Sequence, residues 1–201
     1  MKAALSFAIL AFSAGAALAD GIGVPPTPPV VPSPPIAYVP DWTGVYAGLY
    51  YGVADGEMFD IGGPYVLNDN ANFGGLMLGY RRDLGNFVIG GEIASTFHTD
   101  VYQAAFPSWA FNNLTDLRVS VGRDLGRALL YATAGYTTSR FTDGFANYTY
   151  DGWNAGIGID YMVTDRVFLG AEYVYRSLAR TDNSAWTGEF GAIQLRGGIR
   201  F

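Results

Sequence analysis

The amino-acid sequence predicts an all-β protein, an eight-stranded antiparallel up-and-down transmembrane β-barrel, from three observations. Residues 82–86 (RDLGN) recur 41 residues later as RDLGR at 123–127, and a third short turn follows at 164–166. Two segments with alternating apolar residues, joined by a longer polar stretch, lie between successive turns. The chain ends on Phe201. Short turns at one end of the strands and longer loops at the other are typical of a membrane barrel.

The region before the barrel divides into two parts. Lys2, the apolar run 3–16 and the small residues around Ala19 are typical of a secretory signal peptide over residues 1–19, with cleavage between Ala19 and Asp20. A retained N-terminal anchor is the alternative. Residues 20–41 contain eight of the ten prolines and should form an extended polyproline II tail. This tail would be a plain spacer in the periplasm or a docking segment for a periplasmic partner.

The barrel is expected to occupy residues 42–201, and each of its strands is close to the roughly 9–11 residues that a tilted strand needs to cross a membrane. The predicted strands are 42–53, 72–82, 86–97, 112–123, 128–140, 152–163, 167–178 and 190–201. The predicted long loops are 54–71, 98–111, 141–151 and 179–189. Side chains alternate between the two faces of a strand, and most of these segments have one apolar face and one face with charges. The alternation is blurred in 72–82 and 128–140.

The apolar face is predicted to point outward to lipid and the charged face inward. A soluble barrel of lipocalin type, with its apolar face inside, is the alternative. Aromatic residues on the apolar face favour the membrane barrel, because amphipathic rings prefer the headgroup level and fall near both ends of the strands. They are Tyr80, Phe87, Tyr161 and Phe201 at the short-turn end, and Tyr51, Phe97, Trp153 and Tyr175 at the long-loop end.

Composition excludes several classes of function. Lys2 is the only lysine, so the chain after residue 19 has eleven arginines against 18 acids, which disfavours nucleic-acid binding. One histidine and no cysteine give no basis for a metal cluster, and no motif indicates a cofactor. Without disulfides, an exported protein depends on its backbone ladder and packing, as a closed barrel does.

Eight inward charges are the candidate functional residues. An eight-stranded barrel is just wide enough inside for side chains to fill, so these charges should meet in a salt-bridge network that plugs the lumen. Strand neighbourhood suggests that Glu92 pairs with Arg118 and that Glu172 pairs with Arg196. A narrow gated pore lined by the same groups is the alternative. The set comprises Glu92, Asp116, Arg118, Asp160, Glu172, Arg176, Arg196 and Arg200.

The sequence resembles the small outer-membrane barrels of the OmpA transmembrane-domain and opacity-protein type. Residues 42–48 (WTGVYAG) resemble the first strand of that family, and 197–201 (GGIRF) resemble its C-terminal assembly signal. The resemblance implies a place in the bacterial outer membrane, contact with its lipid and lipopolysaccharide, and insertion by the barrel-assembly machinery, which would read Phe201. The wall-anchoring domain that often follows the barrel in OmpA-type proteins is not expected here.

The expected function is structural, through envelope integrity and surface contact, without catalysis. Family resemblance adds contact with a host surface, and the periplasmic partner of the tail is unknown. A small channel is the second hypothesis. A lipid-modifying enzyme centred on His98 is the third, although Ser95 and Ser108, the nearest serines, form no recognisable motif with it. Acidic loop residues could bind lipopolysaccharide through divalent ions or could simply be solvated.

Overall fold

A computed structural model describes residues 41–60, 63–68 and 71–201, and the regular elements in these residues are β-strands. The predicted signal peptide, its cleavage site at Ala19 and Asp20, and the proline-rich tail lie outside the described residues. No helix in the described part of the chain is long and apolar enough to cross a membrane. The strands are β1 (Gly44–Asp60), β2 (Gly63–Val66), β3 (Asn72–Asp83), β4 (Phe87–Thr99), β5 (Val101–Gln103), β6 (Phe106–Asp124), β7 (Ala128–Thr142), β8 (Asn147–Met162), β9 (Val167–Arg180) and β10 (Thr187–Arg200).

Eight of these strands close into one antiparallel barrel, which confirms the predicted fold class. The strand order is β1, β3, β4, β6, β7, β8, β9 and β10, each paired with its neighbour. The last strand pairs with the first, with Tyr46 opposite Arg200 at one end of this seam and Phe59 opposite Thr187 at the other. Closure leaves no free edge in this ring, so backbone groups in the membrane are satisfied within the wall.

The strands run further toward the long-loop end than the sequence suggested. The β1 strand continues to Asp60, β6 begins at Phe106 and β8 begins at Asn147. Much of the predicted loops 54–71, 98–111, 141–151 and 179–189 is therefore strand, and the connections at 143–146 and 181–186 are short turns. The prediction of long loops was wrong, because alternation continues in these segments with polar rather than apolar residues on the outer face.

Two short strands extend the wall beyond the ends of β3 and β4. The β2 strand pairs with the far part of β1, and β5 pairs with the far part of β6. A bridge between Leu67 and Gln103 joins the two short strands, and the Asn68 amide donates to the Tyr102 carbonyl at 2.9 Å. The far ends of β1 and β6–β10, with β2 and β5, thus form a second storey, which we call the upper barrel.

The outer face of the main barrel is apolar and its inner face holds the charges, as predicted. Leu195 on the outer face is 68% exposed, whereas its neighbour Arg196 on the inner face is 3% exposed. The blurred strands follow the same rule: Leu76 and Leu130 point outward, and Met77 points inward. Beyond the apolar belt, exposed outer-face residues become polar, as on the upper barrel at Asp55, Asn113, Arg140, Thr149 and Glu189.

The repeated turn sequence has a common structural cause. Asp83 Oδ1 accepts a hydrogen bond from the Gly85 amide at 2.7 Å, and Asp124 Oδ1 accepts one from the Gly126 amide at 2.7 Å. Both glycines have a positive φ, 93° and 80°, which strongly favours glycine at these positions. The RDLG repeat is therefore the sequence of a tight hairpin turn closed by an aspartate.

Candidate functional site

The charged residues inside the barrel form a connected layer across the lumen. Arg118 forms ion pairs with Glu92 and with Glu172, the latter at 2.9 Å. Arg196 forms ion pairs with the same two carboxylates, at 2.8 Å to Glu172. The two pairs expected from strand neighbourhood, Glu92 with Arg118 and Glu172 with Arg196, are thus in contact. They belong to one four-membered cluster rather than to separate bridges.

Three further ion pairs extend the charged layer along the barrel. Arg81 contacts Asp160 at 2.5 Å, and Arg196 lies 3.5 Å from the same aspartate. Toward the upper barrel, Arg176 contacts Asp116 at 2.6 Å. Sequence reasoning missed Arg81 because the alternation of its strand is blurred. The adjacent pair Arg81 and Arg82 could have indicated it, since neighbouring strand residues point to opposite faces.

Arg200 does not belong to this layer, and including it in the network was wrong. Its guanidinium donates to the backbone carbonyls of Thr43 at 2.7 Å and Asp165 at 2.8 Å. Arg200 is the last residue of β10, at the short-turn end, and it forms none of the ion pairs found among the described residues. It ties the first and last barrel strands to the 164–166 turn.

The charged layer is electrically neutral. Among the described residues, the buried charged side chains are four arginines and four carboxylates. Neutral side chains complete the shell of the acids: the Tyr46 hydroxyl donates to Glu92 at 2.7 Å, Thr137 donates to Asp116 at 2.7 Å, and Gln194 donates to Glu172 at 2.9 Å. Desolvation makes an unpaired buried charge costly, and the ion pairs and hydrogen bonds of this layer offset that cost.

Aromatic rings close the lumen on the short-turn side of the charged layer. The guanidinium carbon of Arg81 lies 4.7 Å from the ring centre of Tyr46 and between 5.4 and 5.6 Å from those of Tyr131, Phe168 and Trp42. Trp42 is almost completely buried, and its indole nitrogen donates to the Gly126 carbonyl at 3.1 Å. These rings form a lower aromatic layer beneath the charges.

A second set of rings fills the upper barrel. Phe111 is 1% exposed, and its ring centre lies 5.3 Å from that of Phe141 and 5.7 Å from those of Tyr150 and Phe190. Trp109 packs above them, 6.5 Å from Phe141. Phe111 and its three buried neighbours form the upper aromatic layer. The lumen therefore contains side chains from one end to the other, with the charged layer between two aromatic ones.

The tip of the β7–β8 hairpin is held in a fixed shape and exposes a phenylalanine. Asp143 Oδ1 accepts hydrogen bonds from the amides of Phe145 at 2.8 Å and Ala146 at 2.7 Å. These backbone hydrogen bonds hold the pKa of the Asp143 carboxyl below its usual value, mainly through the one from Ala146. Phe145 itself is fully exposed. This arrangement presents an apolar ring at the far end of the upper barrel.

His98 is hydrogen-bonded to a side chain other than the serines considered as its partners. Its imidazole Nε2 forms a hydrogen bond with Asn72 Oδ1 at 3.1 Å. Ser95 is hydrogen-bonded to Thr115 at 3.3 Å instead, and no hydrogen bond within the described ranges joins His98 to a serine. Nor do the described residues place three or more histidine, cysteine or acidic side chains to hold a metal ion. The described residues therefore do not form the hydrogen-bonded pair of histidine and serine that the enzyme hypothesis requires.

Replacing His98 with alanine is expected to leave unchanged the lipid A of the bacterial cells that produce the protein. The variant loses one exposed hydrogen bond, so its stability should also change by less than about 0.5 kcal/mol. Mass spectrometry of lipid A from cells that produce either protein, against cells that produce neither, provides the measurement. A lipid A species that forms with the native protein and disappears with His98→Ala would contradict this expectation.

Known proteins resemble this chain in sequence and in fold. The family model for the outer membrane protein beta-barrel domain matches residues 5–201. The 25 kDa outer-membrane immunogenic protein of Brucella canis is 28% identical over 181 residues, which are 85% of this chain and 81% of that protein. Neisserial surface protein A has a similar fold, with a TM-score of 0.52 and 17% identity, over 79% of this chain and 98% of that chain. Ail of Yersinia pestis matches with a TM-score of 0.50 and 20% identity, over 79% of this chain and 99% of that chain.

Proposed function

The chain belongs to the outer membrane protein β-barrel domain family and lies in the cell outer membrane, and from that premise we propose that it is a sealed structural barrel. It would contribute to envelope integrity by its rigid wall and to surface contact by its upper barrel, without a reaction of its own. The short-turn end faces the periplasm in such barrels, so the upper barrel stands on the outside of the cell.

The filled lumen is the observation that carries this proposal. A solute that enters from outside meets Phe111 and its neighbours, then the charged cluster around Arg196, then the rings around Arg81. Passage would require ion pairs in a low-dielectric interior to separate, and separating such a pair leaves charges that are costly to bury unpaired. A neutral, hydrogen-bonded network is what a plug needs, whereas a selective ion pore commonly has an excess of one charge.

The upper barrel supports a role in surface contact. Its hydrogen-bonded wall lifts the exposed Phe145 away from the apolar belt on a turn whose shape is already fixed. Because the turn that holds this ring is already ordered, a partner that binds it would cause little loss of conformational entropy, which favours a contact at this tip. The Brucella relative is named as immunogenic, which agrees with a family exposed at the cell surface.

We also propose that the barrel contacts outer-membrane lipid and, during insertion, the barrel-assembly machinery. The Phe201 side chain is 78% exposed, and its amide donates to the Val45 carbonyl at 2.9 Å, so the last residue continues the closed wall. An exposed terminal ring on a strand end suits recognition by the barrel-assembly machinery before insertion. Lipopolysaccharide would surround the outer part of the belt.

The native protein is expected to give no resolved current steps in planar lipid bilayers, because its lumen is filled. Folding should first be verified by the change in gel mobility on boiling. The contrary result would be discrete steps whose ion selectivity changes with Arg81→Gln, inside the lumen, but not with Arg140→Gln, on the outer wall. That pattern would assign the current to the lumen and favour the channel hypothesis.

A further inference from the structure

Both copies of the repeated turn place an arginine on the outer wall. In β3, Arg82 is exposed between Arg81 and Asp83, whose side chains lie on the opposite face. In β6, Arg123 is exposed in the same way before Asp124. The repeat thus separates its two charges, with the acid on the inner face, where it closes the turn, and the base on the surface that faces the membrane boundary.

The two arginines flank an apolar strip at the edge of the belt. The β4 strand lies between β3 and β6, with Phe87 opposite Arg123 and Ile89 opposite Arg82. The guanidinium carbon of Arg123 lies 5.2 Å from the ring centre of Phe87. Phe87 is half exposed, as is Tyr80, another of the aromatic residues at the short-turn end. Aromatic rings at this position mark the headgroup level of a membrane, so the guanidinium groups lie at that level too.

No carboxylate of the described residues neutralises these arginines. Arg82 and Arg123 form none of the ion pairs found in the described part of the chain. The acids of their own turns are engaged elsewhere. Asp83 accepts hydrogen bonds from the amides of Gly85 and Trp42, and Asp124 accepts one from Gly126. Arg82 and Arg123 thus place positive charges on the outer wall at this level that no ion pair of the described residues neutralises.

We propose that this surface, formed by Arg82, Arg123 and the Phe87–Ile89 strip between them, binds the phosphate headgroups of anionic phospholipids in the periplasmic leaflet. Guanidinium groups form paired hydrogen bonds to phosphate oxygens and retain their charge at the membrane surface. Adjacent strands lie about 4.8 Å apart, so the two arginine-bearing strands are separated by roughly 10 Å. The apolar strip would contact the adjoining acyl chains.

At the opposite end of the outer wall, the surface near the β1–β10 seam is acidic, which favours the short-turn end for an anionic headgroup. Asp55, Glu57 and Glu189 are exposed on the upper barrel near the β1–β10 seam. An anionic headgroup would be repelled there and attracted at the short-turn end. The inference goes beyond the structural role proposed above and depends only on the orientation of the barrel in the outer membrane.

Lipid retention measured by native mass spectrometry tests this proposal. The full chain is folded into vesicles of phosphatidylcholine with a minor fraction of phosphatidylglycerol, transferred to a mild detergent, and analysed for bound lipid. The native protein should retain phosphatidylglycerol in preference to phosphatidylcholine. Each of Arg82→Gln and Arg123→Gln should weaken that preference about 5-fold, and the double variant about 30-fold, on the basis of one arginine's contribution at a membrane surface.

Matched variants make the result decisive. Arg140→Gln removes an exposed arginine from the outer wall of the upper barrel and should leave the preference unchanged. The double lysine variant, Arg82→Lys with Arg123→Lys, should keep most of it, because the charge remains. Equal retention of phosphatidylglycerol by the native protein and the double glutamine variant, with both folded by gel mobility, would overturn the proposal. Equal losses from Arg140→Gln and from the short-turn variants would also overturn it, by showing a response to total charge alone.

Discussion

Replacing Arg196 with methionine is expected to lower the free energy of unfolding by about 3–5 kcal/mol. Arg196 contacts Glu92, Asp160 and Glu172, so its loss leaves the buried layer with four carboxylates and three arginines. Methionine preserves much of the side-chain volume, and the effect therefore reports the uncompensated charge. Urea unfolding in lipid vesicles, followed by tryptophan fluorescence, gives the measurement.

Two comparisons separate the network from a general effect of lost charge. Arg140→Met on the exposed outer wall should change the stability by less than about 0.5 kcal/mol. Glu172→Ala and Arg196→Ala should show coupled losses in a double-mutant cycle, because each residue leaves the other without its partner at 2.8 Å. Strictly additive losses in that cycle would mean that the ion pair does not stabilise the barrel.

Phe111→Ala is expected to cost about 3–5 kcal/mol, because it leaves a cavity among rings that cannot easily collapse. The damage should be greatest in the upper barrel, since Phe111 packs against Phe141, Tyr150 and Phe190. Trypsin should then cleave at Arg140 or Arg180 in intact vesicles, where the native protein resists. Urea unfolding supplies the free energy.

Phe145→Ala is the matched control for this experiment. It removes the same side chain from a fully exposed turn and should change the free energy of unfolding by less than about 0.5 kcal/mol. If Phe111→Ala and Phe145→Ala were equally stable and equally resistant to trypsin, the upper aromatic layer would not support the upper barrel.

The sequence was sufficient to predict the barrel, its eight membrane strands and the two ion pairs between neighbouring strands. Lipid on one side and a narrow lumen on the other impose a period of two on every strand, and strand 190–201 shows it residue by residue. Glu92 and Arg118 are direct cross-strand partners, and Glu172 lies diagonally across from Arg196. Contacts of this kind follow from strand order alone.

Contacts across the lumen did not follow from strand order. Arg81 on β3 meets Asp160 on β8, and Arg176 on β9 meets Asp116 on β6, although neither pair of strands is adjacent. Such pairs depend on barrel diameter and side-chain length, which a linear pattern does not contain. For the same reason, strand order could not show that Arg200 lies too near the barrel end to join them.

The upper barrel was missed for a different reason. Its outer face meets water, so segments such as 147–152 have polar residues where the membrane strands have apolar ones. High polarity led to their assignment as loops, although the inward residues still alternate, as at Tyr148 and Tyr150. Searching for aromatic residues at every second position, without regard to the residues between them, would have found these extensions.

The equal number of positive and negative charges in the lumen has an electrical consequence. Moving one elementary charge across a membrane at 100 mV changes its energy by about 2.3 kcal/mol, and for groups that move together the effect depends on their net charge. Four buried arginines and four buried carboxylates give no net charge on which that voltage can act. The Donnan potential of the outer membrane changes with the salt content of the surroundings. It should therefore not displace the buried charged side chains of the lumen. We therefore expect the proposed sealed barrel to respond little to this potential in dilute and in concentrated media alike.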